Sequence, residues 1–431
     1  MKRLIFSSPT FAASLRKLDR RHVAGAELSS YVADIIAGVV KDGDKALLGF
    51  AEQFDGAKLT VRSLAVNPTE WETASAAVPP KVKRALKLAH QNVLAFAKKG
   101  LRKNWSTKNA QGAAVGEVYQ PFQRVGIYVP GGSAPLISTV IMTVTLAQAA
   151  GVPEIVVCTP CDKTGRINDA MLHALKLAGA TEIYKIGGAH AIAALAFGTK
   201  TIRPVDKIMG PGNKFVVEAK RQLFGAVAID LLPGPSEIMV LADETANPAF
   251  VAADLLAQAE HGKDSQVLLA TTSAALLDAV GQEVENQLSM LPRKELAAAA
   301  LQSGGTLVLV KDMEQGIALA NAWAPEHLSL VVKNEKSVLP KITSSGAIFL
   351  GHYSPVAAGD FMAGPSHTLP TGGAGKSFPG LTVDQFQKRT SIVKLSAKAL
   401  EKSAPVIALL AEIEGLAAHG RSALIRTGGC F

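Results

Sequence analysis

Glu326 and His327 stand side by side in the stretch "NAWAPEHLSLVV" (321–332), where a loop runs into a strand. A carboxylate and an imidazole are both groups that move protons in enzymes. Successive side chains on a strand point to opposite faces, so such a pair inside a strand cannot share one task. At the strand's mouth, just after Pro325, both can turn toward one pocket. A second constellation is Gln258 and His261, three residues apart and therefore on one face of a helix, at its C-terminal end. That spacing suits two metal ligands. Asp360, His367 and His419 stand in glycine-rich or helix-end contexts, where side chains reach pockets. A zinc ion held by imidazole, carboxylate and a neutral amide oxygen would be open to substrate, unlike a closed thiolate site. Glu260 points elsewhere on the helix, and His22, His90, His173 and His352 show no partners in the sequence and read as surface or packing residues.

The elements that must position these groups follow an α/β pattern. From about residue 124, short β-rich runs alternate with amphipathic helical runs, the signature of parallel layers. Strands are expected at 124–130, 154–159, 182–187, 237–243, 265–272, 306–311, 327–332 and 346–351. "NPAFVAADLLAQAEHG" (247–262) is the clearest helix, with Asn247 as N-cap, Pro248 in the first turn and Gly262 as the stop. Two such sets predict two Rossmann-like parallel-sheet domains, in tandem or with one inserted in the other. The region before residue 105 reads as mainly helical, and the tail from about 383 as a small helical element. Three glycine-rich turns, at 130–135, 187–198 and 209–225, have amides able to receive phosphate, although none is a clean dinucleotide fingerprint.

Composition narrows the classes. At 431 residues the chain exceeds one ordinary core, and no apolar stretch approaches the ~20 residues of a membrane span. The first residues imitate a signal peptide, but "SSP" (7–9) breaks their apolar centre, so the sequence reads as cytoplasmic. The net charge of +9 is spread out, and its densest run (81–103) is an amphipathic helix without interleaved aromatics, which argues against nucleic acid. Three cysteines make no disulfide framework. The C-T-P-C of Cys158 and Cys161 is a redox or zinc half-motif without a second pair, and Cys430 stands next to the end.

Several long ordered blocks carry a resemblance: "GPGNKFVVEAKRQLFG", "GPSEIMVLAD", "LLAQAEHGKDSQ", "APEHLSL", "GAIFLGHYSPVAAGDFMAGPSHTLPTGG" and "EGLAAHGRSALIR". Over about residues 120–425 the chain resembles the histidinol dehydrogenase family, which acts in the last steps of histidine biosynthesis. The resemblance implies oxidation of L-histidinol to L-histidine through the aldehyde, with reduction of two NAD. It places zinc ligands at Gln258, His261, Asp360 and His419, and substrate contacts at Ser236, Gln258, His261, His327, Asp360, His367, Glu414 and His419. NAD contacts fall on Tyr128, Asn213 and a position that is usually Gln and here is His190.

Zinc would fix the substrate's imidazole, amine and alcohol carbon, His327 would take the alcohol proton, and Glu326 would activate the water of the second step. Glu414 and His419, five apart and roughly 140° around an ideal helix, do not share one helix face. The family's C-terminal segment enters the partner subunit, which implies a homodimer with shared active sites. The implied division is an N-terminal helical element (1–23), a discontinuous first Rossmann-like domain (24–129 and 237–382) and an inserted NAD-binding domain (130–236), followed by a helical tail (383–431). Three alternatives stand beside it: a zinc and NAD dehydrogenase of another small alcohol, a binding protein that keeps the fold, and aldehyde oxidation through Cys158.

Overall fold

The computed structural model describes residues 1–18, 20, 25–131 and 135–428. His22, Cys430 and the centre of the first glycine turn (132–134) lie outside the described residues. The described strands are β1 (Lys2–Ile5), β2 (Trp105–Lys108), β3 (Ala114–Pro121), β4 (Arg124–Tyr128), β5 (Glu154–Cys158), β6 (Glu182–Tyr184), β7 (Lys207–Met209), β8 (Ala228–Ile229), β9 (Glu237–Ala242), β10 (Gln266–Thr271), β11 (Gly305–Leu309), β12 (His327–Val331), β13 (Ala347–Leu350) and β14 (Gln387–Lys394).

Two sheets are parallel throughout, in the orders β1-β11-β10-β9-β12-β13 and β6-β5-β4-β7-β8. The central strands β4, β9 and β12 are buried along their whole length, as strands of a parallel sheet are when helices cover both faces. Alternate residues of β9 feed opposite layers: Ile238 and Val240 pack in one core, Met239 and Leu241 in the other. Beginning at β4 in one sheet and β9 in the other, both strand orders run third, second, first, fourth, fifth. The strand order therefore reverses between β4 and β7, and again between β9 and β12, the places where α/β sheets open a crevice.

All eight strands expected from sequence are present, and the helix Pro248–Ala259 carries its Asn247 cap on the Ala249 amide. The division of the chain differs from expectation. β1 lies parallel to β11 at the edge of the six-stranded sheet, so the first residues are not only helical. β4, expected in the first domain, is the central strand of the other sheet. The helices Ala26–Asp42 and Pro80–Lys99 pack on Gly188–Phe197 and Ile137–Ala150 of that same unit. The chain thus starts in the six-stranded sheet, leaves it after β1, builds the five-stranded unit and returns at β9. The tail also holds β14, antiparallel to β3 in a third sheet, before the helices Ala397–Ile413 and Ala417–Leu424.

The turn after β7 is fixed by a fully buried ion pair between Lys220 and Asp230. Asp230 accepts from the Gly210 amide at 2.7 Å, and Lys220 donates to the Gly210 carbonyl at 2.9 Å. Gly210 has a φ of +106°, and a β-carbon there would lie 2.2 Å from the Tyr128 carbonyl oxygen. Gly210→Ala is expected to lose at least about 2 kcal/mol. The measurement is the urea midpoint, and an unchanged midpoint would show that the turn relaxes freely.

Candidate active site

The helix Met313–Trp323 ends at Ala324, the one non-glycine residue with positive φ (48°) among the described residues. That left-handed turn costs about 1–2 kcal/mol and sends the chain through Pro325 into β12. Glu326 and His327 then meet the same residue of the neighbouring strand. The Glu237 amide donates to Glu326 Oε2 at 2.8 Å, and His327 Nδ1 donates to the Glu237 carbonyl at 2.9 Å. One peptide residue therefore holds both side chains, with Glu326 Oε2 only 3.5 Å from His327 Nδ1. This bond leaves His327 Nε2 as the free, basic nitrogen, facing Asp360 Oδ1 at 3.9 Å. Burial raises the Glu326 carboxyl well above the usual range, and the nearby Glu237 and Asp360 carboxyls add to that effect. Burial lowers His327 to about 4, which keeps its ring neutral.

Asp360 sits in the short helix Val356–Phe361, which packs on the helix Pro248–Ala259. Burial pushes its carboxyl up to about 6. Its carbonyl accepts from His367 Nδ1 at 3.1 Å, so His367 presents Nε2 just as His327 does, here 3.4 Å from Thr139 Oγ1. Burial also holds His367 at about 4 and lowers His261. His261 lies close enough to bear electrostatically on both other rings. Gln258, in the last helical turn, is 2 % exposed, and its amide nitrogen has no hydrogen-bond partner. Ser236 adjoins Glu237 directly.

Neutral imidazole, a carboxyl and a buried amide, whose oxygen is the atom a metal takes, fit the N and O donor set of zinc. Among the described residues, no three His, Cys, Asp or Glu side chains converge as a metal cage, since one donor is an amide and His419 stands elsewhere. Glu414 and His419 are exposed on the C-terminal helices, away from this cluster.

The residues expected at NAD follow the carboxyl ends of the other sheet. Tyr128 ends β4, and its hydroxyl, raised to about 12 by burial, accepts from the Gly188 amide at 3.2 Å. Asn213 caps the helix Lys214–Leu223 just after β7, across the strand reversal from Tyr128. A cavity of about 620 Å³ opens at this edge beside Phe54, Asp55, Gly131, Pro160 and Asn168. His190 is 1 % exposed, lies against Phe50 and Phe54, and has no partner at either ring nitrogen.

Cys158 is buried with its thiol pushed far up, and Cys161 is raised to about 11, so neither is a reactive thiolate. His90 and His173 have partners invisible in sequence, Gln148 and Ser75, each at 2.8 Å. The group that sequence reading missed is Glu237, whose signal was a charge opening an otherwise apolar strand.

Fold and site define an α/β protein with two parallel sheets and a buried acid–base cluster where those two meet. The histidinol dehydrogenase family model matches residues 18–427. Histidinol dehydrogenase of Syntrophotalea carbinolica is 44% identical over 427 residues, covering 99% of each chain. That of Geobacter sulfurreducens is 45% identical over 410 residues, covering 95% of each. The crystal structure of histidinol dehydrogenase from Elizabethkingia anophelis superposes with a TM-score of 0.94 at 40% identity, covering 99% of this chain and 98% of that one. The chain belongs to the histidinol dehydrogenase family and is an oxidoreductase.

Burial lowers His190 from 6.5 to about 3. Below pH 6.5 the unfolded chain takes up a proton at this residue that the folded chain refuses, so stability falls as pH drops from 6.5 toward 3. His190→Gln is expected to flatten this part of the pH–stability curve, measured by thermal melting. Parallel curves for the two proteins would contradict a buried neutral ring.

Proposed function

We propose that the protein carries out the zinc-dependent, NAD-linked oxidation of L-histidinol through L-histidinal to L-histidine, as a cytoplasmic homodimer with shared active sites. The observation that carries this reading is the Glu326–His327 pair on one Glu237 peptide, beside Asp360, His261 and His367. Zinc bound by Gln258, His261, Asp360 and His419 of the partner subunit would hold the substrate's imidazole and amine, and NAD near Tyr128, His190 and Asn213 would accept hydride twice.

His327 does the first proton transfer. Its Nδ1 is committed to the Glu237 carbonyl, so Nε2 takes the proton of the substrate hydroxyl as hydride leaves. Glu326 serves the second oxidation, which needs water added to the aldehyde. A buried carboxylate with a raised pKa is a stronger base than a solvated one and suits that task. Ser236 and His367 would hold the polar ends of the substrate.

The uncovered C-terminal helices support the dimer. Val406, Leu409, Leu410 and Ile413 expose an apolar face on the helix capped by Glu414, next to the helix that carries His419. A second copy laying this arm over its partner's cluster would cover the face and complete the ligand set.

The test follows NADH formed from L-histidinol by the zinc-loaded protein. Two NADH per substrate are expected, with turnover lost on chelation, and His327→Gln is expected to lower kcat by about 10²–10⁴-fold. No NADH from L-histidinol, or another alcohol outcompeting it, would overturn the reading.

A further inference from the structure

We propose that Arg20 and Glu237 are positioning residues for the oxidation, tying together the two chain segments that place Glu326 and His327. The proposal rests on the assignment of those two residues as the proton-transfer pair.

Glu237 is gripped on every polar group it has. Its peptide is taken by Glu326 and His327, and its carboxylate, 2 % exposed as a side chain, faces elsewhere. Oε1 accepts from the Gly372 amide at 2.9 Å, and Oε2 forms an ion pair with Arg20 Nη1 at 2.5 Å. Arg20 reaches a second partner with the same guanidinium. Its Nη2 donates to the Trp323 carbonyl, and its plane lies 3.5 Å over the centre of the Trp323 ring. Trp323 is the last residue of the helix that launches the Ala324 turn into Glu326. One arginine therefore fixes both the helix end from which Glu326 departs and the strand residue on which Glu326 and His327 land.

The chemistry of the group explains the choice. A guanidinium can pair with a carboxylate, donate to a carbonyl and stack on an indole at once, whereas an ammonium on a flexible stem cannot hold all three geometries. Glu237 and Glu326 are two neighbouring buried carboxyl groups, and Arg20 attracts both. Without that cation Glu237 has no reason to keep its charge or its place. A misplacement of about 1 Å at a catalytic group can cost about 10²-fold in rate.

The experiment uses the full-length, zinc-loaded protein with L-histidinol and NAD. Arg20→Met and Glu237→Gln are each expected to lower kcat by roughly 30–100-fold while KM for L-histidinol moves by less than about 3-fold. Arg20→Lys is expected to recover part of that loss. The double variant Arg20→Met/Glu237→Gln removes both buried charges, so it is expected to melt above Arg20→Met yet keep the low kcat. A parental kcat in a folded single variant, or in the double variant, would overturn the positioning role. Glu237→Gln keeps the side-chain shape and the acceptor for Gly372, so it remains informative should Arg20→Met not fold. Glu326→Gln separates the two readings. A parental kcat there overturns the assignment of Glu326 and this proposal with it. Loss of kcat in Glu326→Gln beside a parental kcat in Arg20→Met overturns the positioning role alone.

Discussion

The arrangement of this molecule turns on burying two acid–base side chains at one strand mouth with one polar atom of each anchored on the backbone. A buried carboxyl or imidazole without partners costs several kcal/mol, and here the cost is met by one residue of a neighbouring strand. The amide of Glu237 takes Glu326 and its carbonyl takes His327. This is possible only because β12 lies directly beside β9 and begins in register with it, His327 opposite Ile238. The strand order, the left-handed turn at Ala324 and the ion pair beneath Glu237 all serve that register.

The site sits at an unusual edge. Open α/β sheets bind ligands beyond the carboxyl ends of their strands, where the strand order reverses. In the five-stranded sheet, Tyr128 and Asn213 flank that reversal at the carboxyl ends. The acid–base pair instead occupies the amino ends of β9 and β12, the reversal pair of the other sheet. The two edges meet: Thr139, in the helix that follows β4, stands 3.4 Å from His367, and Ser366 donates to the Met142 carbonyl at 2.8 Å. The carboxyl edge of one sheet thus lies against the acid–base groups held by the other. The tight packing that brings them together is also what keeps His327 and His367 neutral and Asp360 raised.

Strands with long apolar runs were legible because burial on both faces leaves a continuous hydrophobic signal. β7 and β8 are only three and two residues long, and β2 and β14 are largely exposed, so burial imposed no comparable pattern on them. β4 was legible as a strand but not as a member of its sheet, because parallel pairing with β5 and β7 is a contact distant in sequence. The candidate site shows the same split. Gln258 and His261 were legible as near neighbours, although the helix stops at Ala259 and His261 follows in the turn after its cap rather than on the helix face, its amide donating to the Gln258 carbonyl at 3.3 Å. Glu326 and His327 were legible by adjacency. Glu237, 89 residues from Glu326, has no local relation to it.

The sequence by itself determined the α/β class, the helix that carries Gln258 in its last turn, and the residue types able to move protons and bind metal, because each depends on local spacing and chemistry. Only the tertiary structure decided that Glu326 and His327 share one anchor, that Arg20 reaches beneath it, that His190 lies under two phenylalanine rings, and that Glu414 and His419 stand apart from the cluster within one chain. Those outcomes depend on strand register and long-range burial, which no stretch of sequence contains.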